Sequence, residues 1–136
     1  MKSVCLIMGA GAGIGGNVAK RFAKEGYHVG LCRRSDEEGL KKIVESVEKE
    51  GGSASGYIIN AVKDDSIENV VSEIESELGS IEVVIYNLGA QVGDRSLADT
   101  SYKTFELGWR MATFGLFRLA KSLFPYMAER KKGENE

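Results

Sequence analysis

Residues 9–16 of this 136-residue chain read GAGAGIGG, so glycine occupies five of eight consecutive positions. Gly9, Gly11, Gly13 and Gly15 alternate with Ala10, Ala12 and Ile14, and the short apolar run Val4–Met8 leads straight into them. A packed core does not require so much bare backbone. A ligand that must approach the main chain closely does, and a helix starting here would offer a pyrophosphate its free N–H groups and positive dipole end. Taken alone the run is weak evidence, because glycine-rich turns also serve tight strand-to-helix packing. The second chemical signal closes the next apolar run, Leu31-Cys32-Arg33-Arg34. Folds that take NAD carry an Asp or Glu at such a strand end, about 20 residues beyond the turn, to accept the ribose hydroxyls. Two guanidinium groups stand here instead, and their forked donors match phosphate oxygens two at a time. They suit the 2′-phosphate of NADP over the free ribose of NAD; the alternative is a solvated pair at a strand end. Asp36, the nearest acid, is read as favouring a helix N-terminus.

These residues need elements to position them, and the chain supplies a regular alternation. Val4–Met8 reads as a buried strand, and Ile14, Val18 and Phe22 with Ala19 and Ala23 as one face of a helix ended by Gly26. His28–Cys32 is a second strand; Ser35 with Glu38 reads as a capping box before Leu40, Ile43, Val44 and Val47, and Gly51 and Gly52 stop that helix. Tyr57–Ile59 centres a third strand. Asp65 with Glu68 caps a third helix facing inward through Ile67, Val70, Val71, Ile74 and Leu78, with Gly79 at its end. Ile81–Tyr86 is a fourth strand, followed by a loop through Gly89 and Gly93 and a long helix from about Ser101 to Arg130. Strands separated by single helices predict an α/β fold: a Rossmann-like, doubly wound parallel sheet in the order 3-2-1-4, with right-handed crossovers and helices on both faces. One domain is expected over residues 1–130, with 131–136 a polar tail.

Composition narrows the function classes. With 43% hydrophobic and 28% charged residues and a net charge of −2, the chain has no electrostatic footprint for nucleic acid or an anionic membrane. No apolar run is long enough for a membrane span, and none resembles a signal peptide. Cys5 and Cys32 lie in separate apolar runs, which argues against a disulfide scaffold or a metal cluster and for a reducing, cytoplasmic setting. His28 has no Cys, His or carboxylate cluster beside it and is not read as a ligand or base. On the last helix Phe105, Trp109, Ala112, Leu116, Leu119, Leu123 and Met127 form an expected core face. A second row, Leu107, Met111, Phe114, Phe117 and Phe124, predicts cover on more than one side.

On these residues the chain resembles the short-chain dehydrogenase/reductase family. That family's TGxxxGxG turn corresponds to Met8 through Gly15 with Met8 in place of Thr, and its Asn-Asn-Ala-Gly block to Tyr86-Asn87-Leu88-Gly89. Gly115-Leu116-Phe117 and Pro125-Tyr126-Met127 match its long helix, and Arg33 falls where NADP-preferring members carry Arg. The resemblance implies hydride transfer between NADP and a carbonyl or alcohol. Its cofactor contacts would fall on Gly9, Gly11, Ala12, Gly13, Ile14, Gly15, Arg33, Arg34, Asn60, Ala61, Asn87 and Gly89, with Asn87 structural and touching cofactor through its backbone. It also implies packing of the last helix against its counterpart in a second copy, a homo-oligomer.

Departures from the pattern limit the reading. The family's Asp-Val-x-Asp block reads Asn60-Ala61-Val62-Lys63, and Met111-Ala112 replaces the Val-Asn pair whose Asn helps hold a proton-relay water. In the mechanism the resemblance implies, a Tyr acts as general acid/base, a Lys four residues later lowers its pKa, and a Ser holds the substrate oxygen. Tyr27, Tyr57, Tyr86, Tyr102 and Tyr126 are followed four places on by Leu31, Ala61, Ala90, Glu106 and Arg130, so none begins such a pair. The expectation is therefore a nucleotide-binding half ending before a fifth strand, with no catalytic or metal residues, inactive by itself. Two other readings stay open: a non-catalytic relative that binds nucleotide or a partner, and an S-adenosylmethionine-dependent methyltransferase-like domain. Gly9, Gly11 and Gly13 would fit the latter's turn, although Cys32-Arg33 stands where its acid belongs.

Overall fold

Five consecutive buried apolar residues, Val4–Met8, make β1, and their alternation decides how the layers assemble. In the computed structural model, which describes residues 2–88 and 96–134, the order continues α1 (Ile14–Lys24), β2 (His28–Arg33), α2 (Glu37–Lys49), β3 (Ser53–Ile58), α3 (Ser66–Glu77), β4 (Ile81–Tyr86) and α4 (Tyr102–Trp109). A π-helical turn, Arg110–Phe114, then joins α4 to α5 (Gly115–Glu134). All strand pairs are parallel and the sheet order is β3-β2-β1-β4, the predicted 3-2-1-4. Val4, Leu6 and Met8 point into one core with Ile67, Val70, Val71 and Ile74 of α3 and Leu119 and Leu123 of α5. Cys5 and Ile7 point into the other with Ala19 of α1 and Leu40, Ile43 and Val47 of α2. A strand buried on both faces must be apolar throughout, as β1 is. Each large apolar side chain so buried contributes about 1.5–3 kcal/mol, more than helix propensity supplies per residue, so the two cores hold the layers.

The helix stops follow the local sequence signals, and the helix starts follow them only in part. Gly26 and Gly51 adopt φ of +94° and +89° just past α1 and α2, the left-handed geometry that a C-terminal stop needs. The Ser35/Glu38 capping box is not formed. Asp36, at φ +60°, is the N-cap of α2, and its side chain accepts from the Gly39 amide at 3.0 Å. Asp65 occupies the N-cap of α3 without a side-chain cap bond, while Ser66 Oγ donates to the Lys63 carbonyl at 2.8 Å and Glu68 is engaged elsewhere. Third-strand pairing begins at Ser53, earlier than the Tyr57–Ile59 pattern indicates. The long helix carries a π turn in its middle and runs on to Glu134, beyond Arg130.

Its expected core face is the main correction. Phe105, Trp109, Ala112 and Leu116 are exposed, and only Leu119 and Leu123 of that row are buried, with Met127 packed at the margin. Trp109 stacks instead on Phe114, ring centroids 5.2 Å apart. Leu107, Phe117 and Phe124 of the second row are exposed as well.

His28, at the start of β2, bridges to β3. Its Nδ1 lies 3.0 Å from Ser53 Oγ and its Nε2 2.8 Å from Ser55 Oγ, a structural role. Burial, and then the nearby Lys2 charge, hold its pKa below the ordinary value of 6.5. The unfolded chain thus takes up the proton first, so the stabilisation is complete above 6.5 and lost as pH falls through the lower folded-state value. Urea midpoints should therefore drop between pH 7.5 and pH 5.5, with a flatter profile in His28→Gln. Identical slopes in both proteins would remove His28 as the cause.

Candidate nucleotide-binding site

The turn from β1 to α1 is fixed by backbone contacts and one side chain, Asn87. Gly9 (φ +88°) and Ala10 both donate their amides to the Cys32 carbonyl at 2.9 Å, and the Asn87 amide donates to the Met8 carbonyl at 2.8 Å. Asn87 Nδ2 donates to the Gly9 carbonyl at 3.3 Å, so its role in the protein is to lace the end of β4 to the turn. A Cβ on Gly9 would stand 2.5 Å from the Asn87 carbonyl oxygen, and one on Gly15 would overlap the Gly9 carbonyl. Those two glycines serve the protein's own packing. Gly11 and Gly13 do not: a Cβ at either would meet nothing within 4 Å. Their bare backbone faces open space at the N-terminus of α1, where Gly13 is the N-cap, no side chain caps the helix and no acid lies in the first turn. Ala12 is exposed beside them, as is Ile14, at 70%. Uncapped amides, a helix dipole and room without side chains fit an anion such as a pyrophosphate.

Next to this cradle is a cavity of about 60 Å³ that gathers the other expected contacts. Gly9, Arg33, Arg34, Asn60 and Ala61 line it, with Met8, Cys32, Ile59, Val62, Leu88, Leu107 and Met111. The apolar share of that lining suits the faces of a planar base, and the two arginines join it. Asn60 turns its Oδ1 back onto the Val62 amide at 3.2 Å and so shapes its own loop. Gly89 lies outside the described residues.

One residue that the sequence did not mark braces the wall of this cavity at Ala61. Arg118, on α5, donates through Nε and Nη2 to both oxygens of Glu68 at 3.0 and 2.8 Å. The same guanidinium reaches the Ala61 carbonyl at 2.6 Å and the Lys63 carbonyl at 3.1 Å. Only 13% of the Arg118 side chain is exposed, and its hydrogen bonds hold the Glu68 carboxyl below the usual carboxylate range. This fork ties the loop bearing Asn60 and Ala61 to the helix that carries Met111. The available signal was a lone charge in the apolar stretch 111–120.

Met111 is placed by the π turn. There the Gly115 amide donates to the Arg110 carbonyl, one residue further back than in an α-helix, and the Tyr86 hydroxyl donates to the Met111 carbonyl. A Cβ on Gly115 would overlap that hydroxyl, which explains the glycine. Burial raises the Tyr86 pKa, so it acts as a donor at neutral pH. Ala112, within the same turn, is exposed and offers no polar group to a water. Tyr126 and Arg130 form no acid/base couple: Arg130 binds both Glu75 oxygens at 3.1 and 3.0 Å and the Ile81 carbonyl at 2.6 Å. Burial pushes the Cys5 and Cys32 thiols up to about 11 and about 12, so neither is a thiolate nucleophile at neutral pH. Among the described residues no group of His, Cys, Asp and Glu could hold a metal, and no helix is long and apolar enough to cross a membrane.

A parallel sheet ordered 3-2-1-4, with a bare glycine turn over a helix N-terminus and an apolar-lined cavity beside it, defines the dinucleotide-binding α/β class. Within that class the chain belongs to the short chain dehydrogenase family, which it matches over residues 3–134 and which uses a nicotinamide dinucleotide. It is 32% identical over 133 residues to a fatty acyl-CoA reductase of Acinetobacter baylyi, covering 96% of this chain and 44% of that protein. To a 2,3-dihydro-2,3-dihydroxybenzoate dehydrogenase of Bacillus subtilis it is 27% identical over 130 residues, 96% of this chain and 49% of the relative. A short-chain dehydrogenase structure from Rhodopseudomonas palustris superposes with a TM-score of 0.86 at 28% identity, over 94% of this chain and 59% of that one. The chain spans about half the length of the relatives it matches. Family membership removes the methyltransferase-like reading.

The two kinds of glycine should behave differently. Gly9→Ala meets backbone and a left-handed φ, so it should cost about 1–3 kcal/mol of stability, read as a lowered urea midpoint. Gly11→Ala should leave the midpoint unchanged or slightly raised, because the methyl enters open space. Equal losses at both positions would contradict this division.

Proposed function

We propose that the cleft binds NADP(H) in preference to NAD(H), and that the chain supplies the nucleotide-binding half of a hydride-transferring oxidoreductase for a carbonyl or alcohol substrate. One observation carries the cofactor choice: Arg33 and Arg34 line the same cavity as Gly9, Asn60 and Ala61, at the strand end where an NAD site would hold a carboxylate. The open backbone at Gly11 and Gly13 supports the pyrophosphate position, with Ile14 beside it as an apolar contact. The names of the two relatives, one a reductase of a fatty acyl thioester and the other a dehydrogenase of a dihydrodiol, support the substrate class. Calorimetric titration of both dinucleotides against wild type and Arg33→Ala tests the preference. A charge-assisted hydrogen bond contributes about 1.5–3 kcal/mol, so NADP affinity should fall roughly ten- to a hundredfold in the variant while NAD affinity stays level. Equal binding of the two, unmoved by the substitution, would sink the proposal.

A second reading, nucleotide binding without chemistry, is favoured by Ala112 in the π turn and by the commitment of Arg130 to Glu75. The two readings agree about these 136 residues and give one expected result: no turnover. With no Tyr followed four residues later by Lys, the chain lacks the positioned acid/base that typically contributes ~10²–10⁴ in rate. Purified protein with NADPH and a panel of aldehydes and ketones should show no oxidation above background. Measurable turnover that disappears in Tyr126→Phe would instead reveal an acid/base on α5.

A further inference from the structure

β3 is an outer strand of the sheet, and its far edge is open. The Ile59 amide donates to the Arg33 carbonyl of β2 at 2.9 Å, so by strand alternation Ser53, Ser55 and Tyr57 address β2 as well. Ala54, Gly56 and Ile58 therefore aim their N–H and C=O groups outward. Sheet edges in soluble proteins are commonly blunted by a lysine, a proline or a bulge. Ser53–Ile58 has none of these: it reads SASGYI, and its register with β2 is unbroken throughout. The His28 bonds to Ser53 and Ser55 tie the strand to its neighbour, so the edge is preformed. Ile58 is 45% exposed on it.

A groove flanks this edge on each face. Beside α2 is a slot of about 400 Å³, lined by Leu40 and Val44 with Gly56 and Ile58. On the α3 face a wider groove of about 630 Å³ runs past Tyr57 to Asn60. Its charges are divided. Arg34 and Lys63 outnumber Asp64 at the Asn60 end, where the Lys63 amide donates to the Asn60 carbonyl at 3.0 Å. Glu73 stands at the other end near Tyr57, whose pKa is raised by burial and then by that charge. A strand added to the edge would alternate its side chains between slot and groove. A second copy of β3 does not fit. Leu40 and Val44 lie over Gly56 and so place α2 above β3. Paired copies would bring two α2 axes to a single strand spacing of ~4.8 Å, whereas packed helices need about 8–10 Å. A bare peptide strand brings no helix.

We propose that the open edge of β3 docks an extended peptide segment, which joins the sheet antiparallel to β3. Its aliphatic side chains enter the slot beside α2. On the other face an acidic residue meets Arg34 and Lys63, and a basic residue four positions later meets Glu73. That charge order sets the antiparallel direction, because the cationic end of the groove lies at the C-terminal end of β3. The inference stands whichever dinucleotide the cleft prefers.

The probe is an N-terminally fluorescein-labelled peptide, Glu-Val-Thr-Val-Lys-amide, titrated into the full chain and followed by anisotropy. In the proposed pairing both valine amides point at β3 and the threonine amide points away. Saturable binding is expected, weakened about tenfold when either valine is N-methylated and level when the threonine is. Ile58→Lys puts a charge on an exposed edge position and should weaken binding about tenfold at an unchanged thermal midpoint. Phe117→Glu, on the exposed face of α5, should leave it level. The N-methyl comparison alters only the peptide, so it decides the matter even if Ile58→Lys fails to fold. Absence of saturable binding overturns the proposal, as does equal loss from N-methylation at all three positions. Binding indifferent to a folded Ile58→Lys, or lost in Phe117→Glu, places the peptide elsewhere and also overturns it. Wild-type self-association in sedimentation velocity that Ile58→Lys abolishes would assign the edge to a second copy and overturn the peptide.

Discussion

The structure depends on one contact of backbone against backbone. Where β1 ends, Gly9 lies so close to the Asn87 carbonyl that no side chain fits between them, and Gly15 of α1 lies equally close to the Gly9 carbonyl. The Gly9 and Ala10 amides close onto β2 through the Cys32 carbonyl, and the Met8 carbonyl closes onto the Asn87 amide beyond β4. Three strand ends are thereby locked together at the mouth of the cleft. Because this knot contains no side chains beyond Asn87, it leaves the next glycines free, and Gly11 and Gly13 can present amides to a ligand instead of to the protein. A motif that looks uniform in sequence divides its labour by direction.

The side of the cavity formed by Asn60 and Ala61 is held differently, by charge. Arg118 satisfies two loop carbonyls and a carboxylate at once, and truncating it would leave the part-buried Ala61 carbonyl and Glu68 carboxylate without that partner. Loss of a hydrogen-bond partner at such a site costs about 1–3 kcal/mol, against at most about 1 for an exposed ion pair such as Arg21–Glu25. At Met111 the Tyr86 hydroxyl takes up the carbonyl that the π turn releases, so the irregular helix has no orphan acceptor there. Met111 is thus presented to the cavity by a helix defect that is itself fully hydrogen-bonded at that point.

Most of the fold was legible because burial enforces it. β1 is apolar throughout since both its faces are covered, and Ile67, Val70, Val71 and Ile74 repeat at helical spacing since α3 has one buried side. The glycine turn and the Arg33/Arg34 pair were equally legible, being local in sequence. What escaped was non-local or a matter of one residue's register. Glu68 looks like a capping acid until Arg118, fifty residues away, claims it. Ser35 and Asp36 are both good caps, and only the left-handed backbone at Asp36 decides between them. The inward face of the last helix was misplaced for a related reason: periodicity identifies an apolar stripe but cannot show which of two stripes meets the sheet. The π turn also shifts the stripe's phase by inserting one extra residue.

That phase shift bears on how the last helix is attached. Leu119 and Leu123 are the fully buried apolar anchors of α5, whereas Leu116, Phe117 and Phe124 stay exposed. Met127 packs at the margin of the same core, and two polar clamps add to the attachment. Arg118 grips Glu68 near the N-terminal end, and Arg130 grips Glu75 and the Ile81 carbonyl three turns later, with Glu75 in turn accepting the Ile81 amide at 2.9 Å. Both acids sit on α3, so α5 is bolted to its neighbour at two points and needs little of its own apolar surface to stay in place. Helix position and apolar burial are therefore separable here. The cavity wall at Met111 is fixed by the bolts and the Tyr86 bond, and cover over the exposed row can be added without disturbing it.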